Sequence, residues 1–175
     1  MHLCRTLLVL LVAVCLLAPL DAQQFRQPPP YRILVTNDDG VHAAGIAAVA
    51  QALQVIGTPI VVAPADNQTG KAHSIITTEP VFRQDLTLPN GLPAIGLTAT
   101  PASTVNIAIR NIVMPRPDLV VSGVNNQYNL GLSTHVAGTV GAAREAAVHG
   151  IPAIAAANPS RRCRGLSGSG VVRYI

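Results

Sequence analysis

Short runs of branched apolar residues that break into polar turns, several of them followed by a stretch of helical spacing, constrain this chain of 175 residues more than any other feature. Arg32-Ile33-Leu34-Val35-Thr36 breaks into Asn37-Asp38-Asp39-Gly40, the pattern of a buried strand ending in a tight turn. Ile46, Val49, Leu53 and Ile56 then recur at helical spacing, with Gly57 as the stop. Pro59–Ala63 reads as the next buried strand and Pro64–Gly70 as a loop. Ser74–Asn90 alternates weakly before a Pro-Asn-Gly turn and reads as an irregular hairpin or excursion, and Ala94–Ala99 as another strand. Thr100-Pro101 opens a helix carrying Val105, Ile109 and Ile112, because proline suits the first helical position. A loop at Met114–Pro117 precedes a strand at Asp118–Val121, which leads into Ser122-Gly123-Val124-Asn125-Asn126. Ala137–His149 is a helix closed by Gly150, and Ile151–Ala157 a further strand. Strands alternating with helices in this way predict an α/β fold with a parallel sheet covered on both faces.

The N-terminus has a short basic start, an apolar run from Leu7 to Leu17 and a small residue at Ala22. That layout is a signal peptide over 1–22, since the run is shorter than the roughly 20 residues of a spanning helix. A secreted or periplasmic protein with no stable membrane anchor is expected; an uncleaved anchor is the alternative. A polar, proline-rich linker covers 23–30 and the α/β domain 31–157, while 158–175 changes to an Arg/Ser/Gly-rich tail without apolar pattern. Removing the leader takes Cys4 and Cys15 with it and leaves Cys163, so no internal disulfide can form.

The net charge of +4 invites a nucleic-acid reading, but its placement excludes one. Between Gln23 and Ser160, seven basic residues face seven acidic ones, and the excess lies in Arg5 and the C-terminal arginines. Aromatic residues make up only 3%, so base-stacking platforms are missing too.

In an open parallel sheet the C-terminal ends of the strands share one edge, where ligands bind. The loops at Asn37–Asp39, Asp66–Gly70 and Ser122–Asn126 converge there. Two carboxylates, a hydroxyl and a carboxamide supply only oxygen ligands, which select a hard cation such as Mg²⁺, Ca²⁺ or Mn²⁺ over zinc. Glycines at 40, 70, 123 and 131 would let backbone N–H groups approach a phosphate, and a helix starting near Gly138-Thr139 adds a positive N-terminus. These residue types fit a metal-assisted phosphate site and a non-catalytic anion site equally well. His42 reads as a helix-capping or supporting residue, Lys71 as a surface or phosphate-binding one, and Arg144-Glu145 as a solvated helix face.

Four motifs in order carry a resemblance: Thr-Asn-Asp-Asp-Gly-Val-His-Ala-Ala-Gly, Val-Val-Ala-Pro-x-x-Asn-Gln-Thr-Gly, Pro-Asp-Leu-Val-Val-Ser-Gly-Val-Asn and Ala-Gly-Thr-Val-Gly-Ala-Ala-Arg-Glu. Over Arg32–Ala157 the chain resembles the survival protein E (SurE) family of metal-dependent 5'/3'-nucleotidases and acid phosphatases. The resemblance implies a Rossmann-like three-layer α/β fold with a mainly parallel sheet. It also implies one divalent metal ion, Mg²⁺ or Mn²⁺, a nucleoside monophosphate or other small phosphomonoester as substrate, and a homodimer or tetramer. Asp38 and Asp39 match metal ligands at the catalytic centre; Thr69 stands where the family has a serine ligand, and Asn125 matches the asparagine ligand. Asn129 matches a second asparagine near the phosphate, and Gly138, Thr139 and Ser74 are expected to meet substrate.

Three positions depart from the pattern. Ala137 replaces a serine before Gly-Thr-Val, Gln127 a glycine, and Ser103 a carboxylate in the Thr-Pro motif. The resemblance stops after Ala157, so the C-terminal part of the family's fold, with the arm that builds the oligomer, is expected to be truncated here. A metal-dependent nucleotidase and a remnant that binds metal or phosphate without turnover are the two functions to be separated.

Overall fold

The computed structural model describes residues 30–157 and 170–174. The expected signal peptide, the linker before Pro30 and residues 158–169 of the expected tail lie outside the described residues.

Seven strands form one sheet: β1 (Tyr31–Thr36), β2 (Gly57–Pro64), β3 (Arg83–Thr87), β4 (Pro93–Leu97), β5 (Leu119–Asn125), β6 (Ala153–Ala157) and β7 (Gly170–Tyr174). Their spatial order is β3-β4-β2-β1-β5-β6-β7. The five inner strands are parallel, while β3 and β7 pair antiparallel at the two edges. Among the described residues four α-helices accompany them: α1 (Ala44–Leu53), α2 (Pro101–Ile107), the single turn α3 (Ser133–Val136) and α4 (Gly138–Val148).

The inner strands are buried on both sides because successive side chains point to opposite faces and each face meets helices. Ile33 and Val35 of β1 pack with Ile46 and Ala50 of α1 on one face. Leu34, between them, packs with Val105 of α2 and Val140 and Ala142 of α4 on the other. This is the three-layer α/β architecture expected, with a mainly parallel sheet.

Local signals placed most boundaries, and long-range packing moved the rest. Thr100 caps α2, its Oγ1 accepting from the Ser103 N–H (3.3 Å), and the helix ends in a widened turn at Ala108–Ile112 where the Val113 N–H reaches Ala108 O (2.8 Å). The weakly alternating segment supplies β3, which forms a hairpin with β4 around Asn90-Gly91. Gly57 is not a helix stop. It begins β2 opposite Tyr31, while Val55 and Ile56 are exposed. Strand β5 runs four residues beyond the expected Val121, so Asn125 is a strand end and not a loop residue. The tail contributes β7, whose backbone pairs with β6 from Ala153↔Tyr174 to Ala157↔Gly170.

A Cβ at Gly57 would lie 2.2 Å from Tyr31 O. Gly57→Ala is therefore expected to cost about 1–3 kcal/mol, the usual penalty for overpacking. A thermal melt followed by circular dichroism should show a fall of several degrees, roughly 2–8 °C; an unchanged midpoint would contradict the tight β1–β2 contact.

Candidate active site

Strand β1 has β2 on one side and β5 on the other, so the strand order reverses there and a crevice opens beyond the C-terminal ends of β1 and β5. Thr36 is level with Ser122 in the β1–β5 register, which brings the turn after β1 beside the end of β5. Asn37 is fully buried and staples that turn: its Nδ2 donates to Gly40 O (2.8 Å) and its Oδ1 accepts the Gly40 N–H (3.2 Å). That N–H, expected to be available to a phosphate, is therefore already engaged.

The stapled turn presents Asp38 and Asp39 differently. Asp38 is only 1% exposed. Its Oδ1 accepts from Thr139 Oγ1 (2.5 Å), and its Oδ2 is buried with no hydrogen-bond partner among the described residues. Burial pushes the Asp38 carboxyl above its ordinary range; the hydrogen bond from Thr139 opposes this, and the neighbouring charge of Asp39 adds to it. Asp39 is half-buried, and its Oδ2 accepts the Asn126 N–H (3.1 Å) just past β5. The Gln68 N–H donates to Asp38 O (2.7 Å), which ties in the loop after β2.

Helix α4 approaches this cluster end-on. Gly138 allows the approach, since a Cβ there would lie 2.7 Å from Asp38 Cβ and 3.0 Å from Pro101 Cγ. The helix N-terminus so placed favours negative charge beside it. Ala137, at the N-cap, is buried and offers no capping hydrogen bond.

The expected site residues divide accordingly. Asp38 and Asp39 are joined by direct hydrogen bonds to Thr139 and to the end of β5, where Asn125 is 3% exposed. Thr69 is exposed one residue beyond Gln68, its N–H held by Asn67 Oδ1 (2.9 Å). Asn129 is half-buried in the segment leading to α3. Ser74 is turned into its own loop: its hydroxyl donates to Lys71 O (2.7 Å) and its carbonyl accepts from Thr100 Oγ1 (2.6 Å). Ser103, in place of the family's carboxylate, is buried and accepts from the Ile76 N–H (2.7 Å). His42 and Lys71 are exposed.

Glu145 corrects the expectation of a solvated helix face, for it is 5% exposed. Its Oε1 accepts from Asn106 Nδ2 (2.6 Å) and lies 3.2 Å from His149 Nε2, while its Oε2 lies 2.7 Å from His73 Nε2. Gly138, Ala142, Glu145, Ala146 and His149 recur at helical spacing, and that spacing was the available signal. Burial acts to raise the Glu145 carboxyl, but hydrogen bonds from Asn106 and His73 and the two nearby imidazoles outweigh it and hold it below its ordinary 4.5. A depressed carboxylate stabilises the fold above its ordinary value and loses that contribution as pH falls through the folded value. Urea midpoints should thus drop more steeply in the wild type than in Glu145→Gln as the pH falls below the ordinary 4.5; parallel curves would contradict the network.

The donors at the crevice are carboxylate, hydroxyl and carboxamide oxygens. Among the described residues no three His, Cys, Asp or Glu side chains are arranged to hold a metal ion. Two carboxylates joined by a hydroxyl and a carboxamide would be a different kind of site, suited to a hard cation. The buried, unpartnered Asp38 Oδ2 fits one, since an ionised oxygen left alone in the interior is costly.

These features define a doubly wound α/β domain with an acidic, oxygen-donor crevice at its switch point. The sequence profile of the family Survival protein SurE matches residues 33–165, eight residues further than the motifs alone indicated. The 5'-nucleotidase SurE of Methanothermobacter thermautotrophicus is 44% identical over 132 residues, covering 75% of this chain and 50% of that relative. The 5'-nucleotidase SurE of Aeromonas hydrophila is 44% identical over 126 residues, covering 71% and 50%. The crystal structure of the SurE protein from Aquifex aeolicus superposes with a TM-score of 0.65 at 37% identity, covering 75% of this chain and 52% of that one. The chain belongs to the SurE family, and it spans about half the length of the curated relatives it matches.

Proposed function

We propose that this chain is a divalent-metal-dependent phosphomonoesterase that releases phosphate from nucleoside monophosphates. The observation carrying this reading is the buried Asp38 carboxylate, bonded through one oxygen to Thr139 at the start of α4 and unpartnered at the other. The relatives described as 5'-nucleotidases support the substrate class. Asp38, Asp39, Thr69 and Asn125 would hold the Mg²⁺ or Mn²⁺. When bound, such a cation supplies Lewis-acid polarisation of a phosphate oxygen and a water of lowered pKa.

The protein's own groups do the rest. Thr139 holds Asp38 Oδ1 and leaves Oδ2 for the cation. The N-terminus of α4 around Gly138 favours the anionic phosphoryl group, and the Asn129 carboxamide supplies a donor to it. A water oxygen adds to phosphorus, the ester P–O bond breaks, and the proton ends on the leaving alcohol, so no side-chain nucleophile is needed. Ser74 has its hydroxyl engaged and is assigned no step.

Binding without turnover is the second reading, favoured by the buried alanine at 137, which leaves the N-cap of α4 without a side-chain hydroxyl. Phosphate release from a nucleoside 5'-monophosphate in Mn²⁺ separates the two. Asp39→Ala is expected to lower the rate roughly a thousandfold, since metal assistance is worth several kcal/mol. A wild type that releases no more phosphate than that variant sinks the enzyme reading.

The run Leu7–Leu17 and the small residue Ala22 support export to the periplasm or medium. Among the described residues no helix is long and apolar enough to cross a membrane. Mass spectrometry of the exported chain should give an N-terminus near Gln23; retention of Met1 would contradict export with cleavage.

A further inference from the structure

Among the described residues Glu145 is the one buried carboxylate that the proposed reaction leaves without a task, and what it touches gives it one. The loop after β2 carries Thr69 between two anchor points. The front anchor is the Gln68 N–H on Asp38 O (2.7 Å). The rear anchor has two contacts: the Ala72 N–H donates to Val136 O (3.1 Å) at the end of α3, and the His73 Nε2–H donates to Glu145 Oε2 (2.7 Å) on α4. A carboxylate only accepts, so the His73 Nε2 carries the proton in this bond.

Two further features mark the place where the loop meets α4. Ala72 has φ +51, a left-handed conformation that a residue with a Cβ disfavours. Gly141 lets the loop press onto α4, because a Cβ there would lie 1.8 Å from Ala72 O. Glu145 is itself fixed before it meets His73, with Oε1 occupied by Asn106 of α2 and its side chain 7% exposed.

We infer that His73 and Glu145 are positioning residues, a clamp that sets Thr69 at the height of the Asp38–Asp39 pair so that its hydroxyl completes the oxygen set for the cation. The inference rests on the metal-site reading above. Without the clamp Ala72 relaxes toward negative φ, and the segment 69–72 shifts between its remaining holds, the Gln68 N–H on Asp38 O (2.7 Å) and Thr100 Oγ1 on Ser74 O (2.6 Å), carrying Thr69 with it.

The test is Mn²⁺ affinity measured by calorimetric titration of the whole chain. His73→Ala should weaken binding about tenfold, the scale of losing an outer contact of a metal site. His73→Gln, whose amide can donate to the same Glu145 oxygen, should recover affinity to within about threefold of wild type. In a Thr69→Ala background, His73→Ala should have almost no further effect, because both changes remove one ligand. If His73→Ala melts below the assay temperature, His73→Asn replaces it, its amide being too short to reach Oε2, with the same tenfold loss expected. Wild-type affinity in His73→Ala or His73→Asn, or full additivity of His73→Ala with Thr69→Ala, overturns the clamp while leaving the metal site standing. Failure of wild type to bind Mn²⁺ more tightly than Asp39→Ala overturns the metal reading and the clamp with it.

Discussion

Asp38→Asn is expected to abolish phosphate release, by roughly a thousandfold, while leaving the metal-free chain at least as stable as the wild type. The carboxylate is 1% exposed, and one of its oxygens has no partner among the described residues. Its charge is therefore a cost to folding in the absence of a cation, because burial disfavours the ionised form and raises the carboxyl above its ordinary range. Asparagine keeps the acceptor for Thr139 and the shape of the side chain but removes the charge. The Asn amide loses hydrogen bonds to water, a penalty of about 1–3 kcal/mol that offsets part of the gain. Saturating Mn²⁺ reverses the order. At a hundredfold excess over Kd the wild type should gain about 2.7 kcal/mol, and Asp38→Asn nothing. Thermal melts with and without Mn²⁺ read both halves, and a variant stabilised by Mn²⁺ as much as the wild type would contradict the assignment of Asp38.

Gly141→Ala sets two effects against each other at one helical position. Alanine is the better helix former by about 1 kcal/mol. Its Cβ, however, would stand 1.8 Å from Ala72 O, a backbone atom that no rotamer change can move aside. Overpacking of this kind costs about 1–3 kcal/mol, so the clash outweighs the propensity and something must shift. Helix α4 is buried along most of its length, whereas the loop at 69–71 is exposed, so the loop is what lifts. The Ala72–Val136 and His73–Glu145 bonds lift with it. The expected result is a lower melting temperature together with Mn²⁺ binding weakened about tenfold. A higher melting temperature with unchanged affinity would mean that the loop does not rest on α4.

The central strand was legible because both of its faces are buried, which turns an alternating pattern into the continuous run Ile33-Leu34-Val35. Helix α2 was legible from its cap, since Thr100-Pro101 is a local signal and the bond from the Ser103 N–H is made within one turn. Three features were not, and each depends on a partner far along the chain. Gly57 obeys the local rule for a helix stop, but its place is decided by Tyr31 O, which a Cβ would meet at 2.2 Å. Gly123 reads as a loop residue, yet it lies inside β5 because only glycine lets that strand pass Ala156 O, 2.4 Å from where a Cβ would be. Glu145 sits beside Arg144 and reads as solvated, while His73 and Asn106 supply the partners that make its burial tolerable. At the site, Asp38, Asp39 and Asn125 could be placed at the sheet edge from strand ends alone. The engaged hydroxyl of Ser74 and the staple of Asn37 could not, because both depend on the conformation of a loop.

Phosphate release from a nucleoside 5'-monophosphate by chain stripped of divalent ions with a chelator, then resupplied with Mn²⁺ or Mg²⁺, tests the metal-dependent site most directly. The expected result is loss of release on stripping, recovery on resupply, and no recovery in Asp38→Asn. Release that survives stripping at full rate, or recovery in Asp38→Asn equal to the wild type, would contradict a cation held by the carboxylates at the switch point.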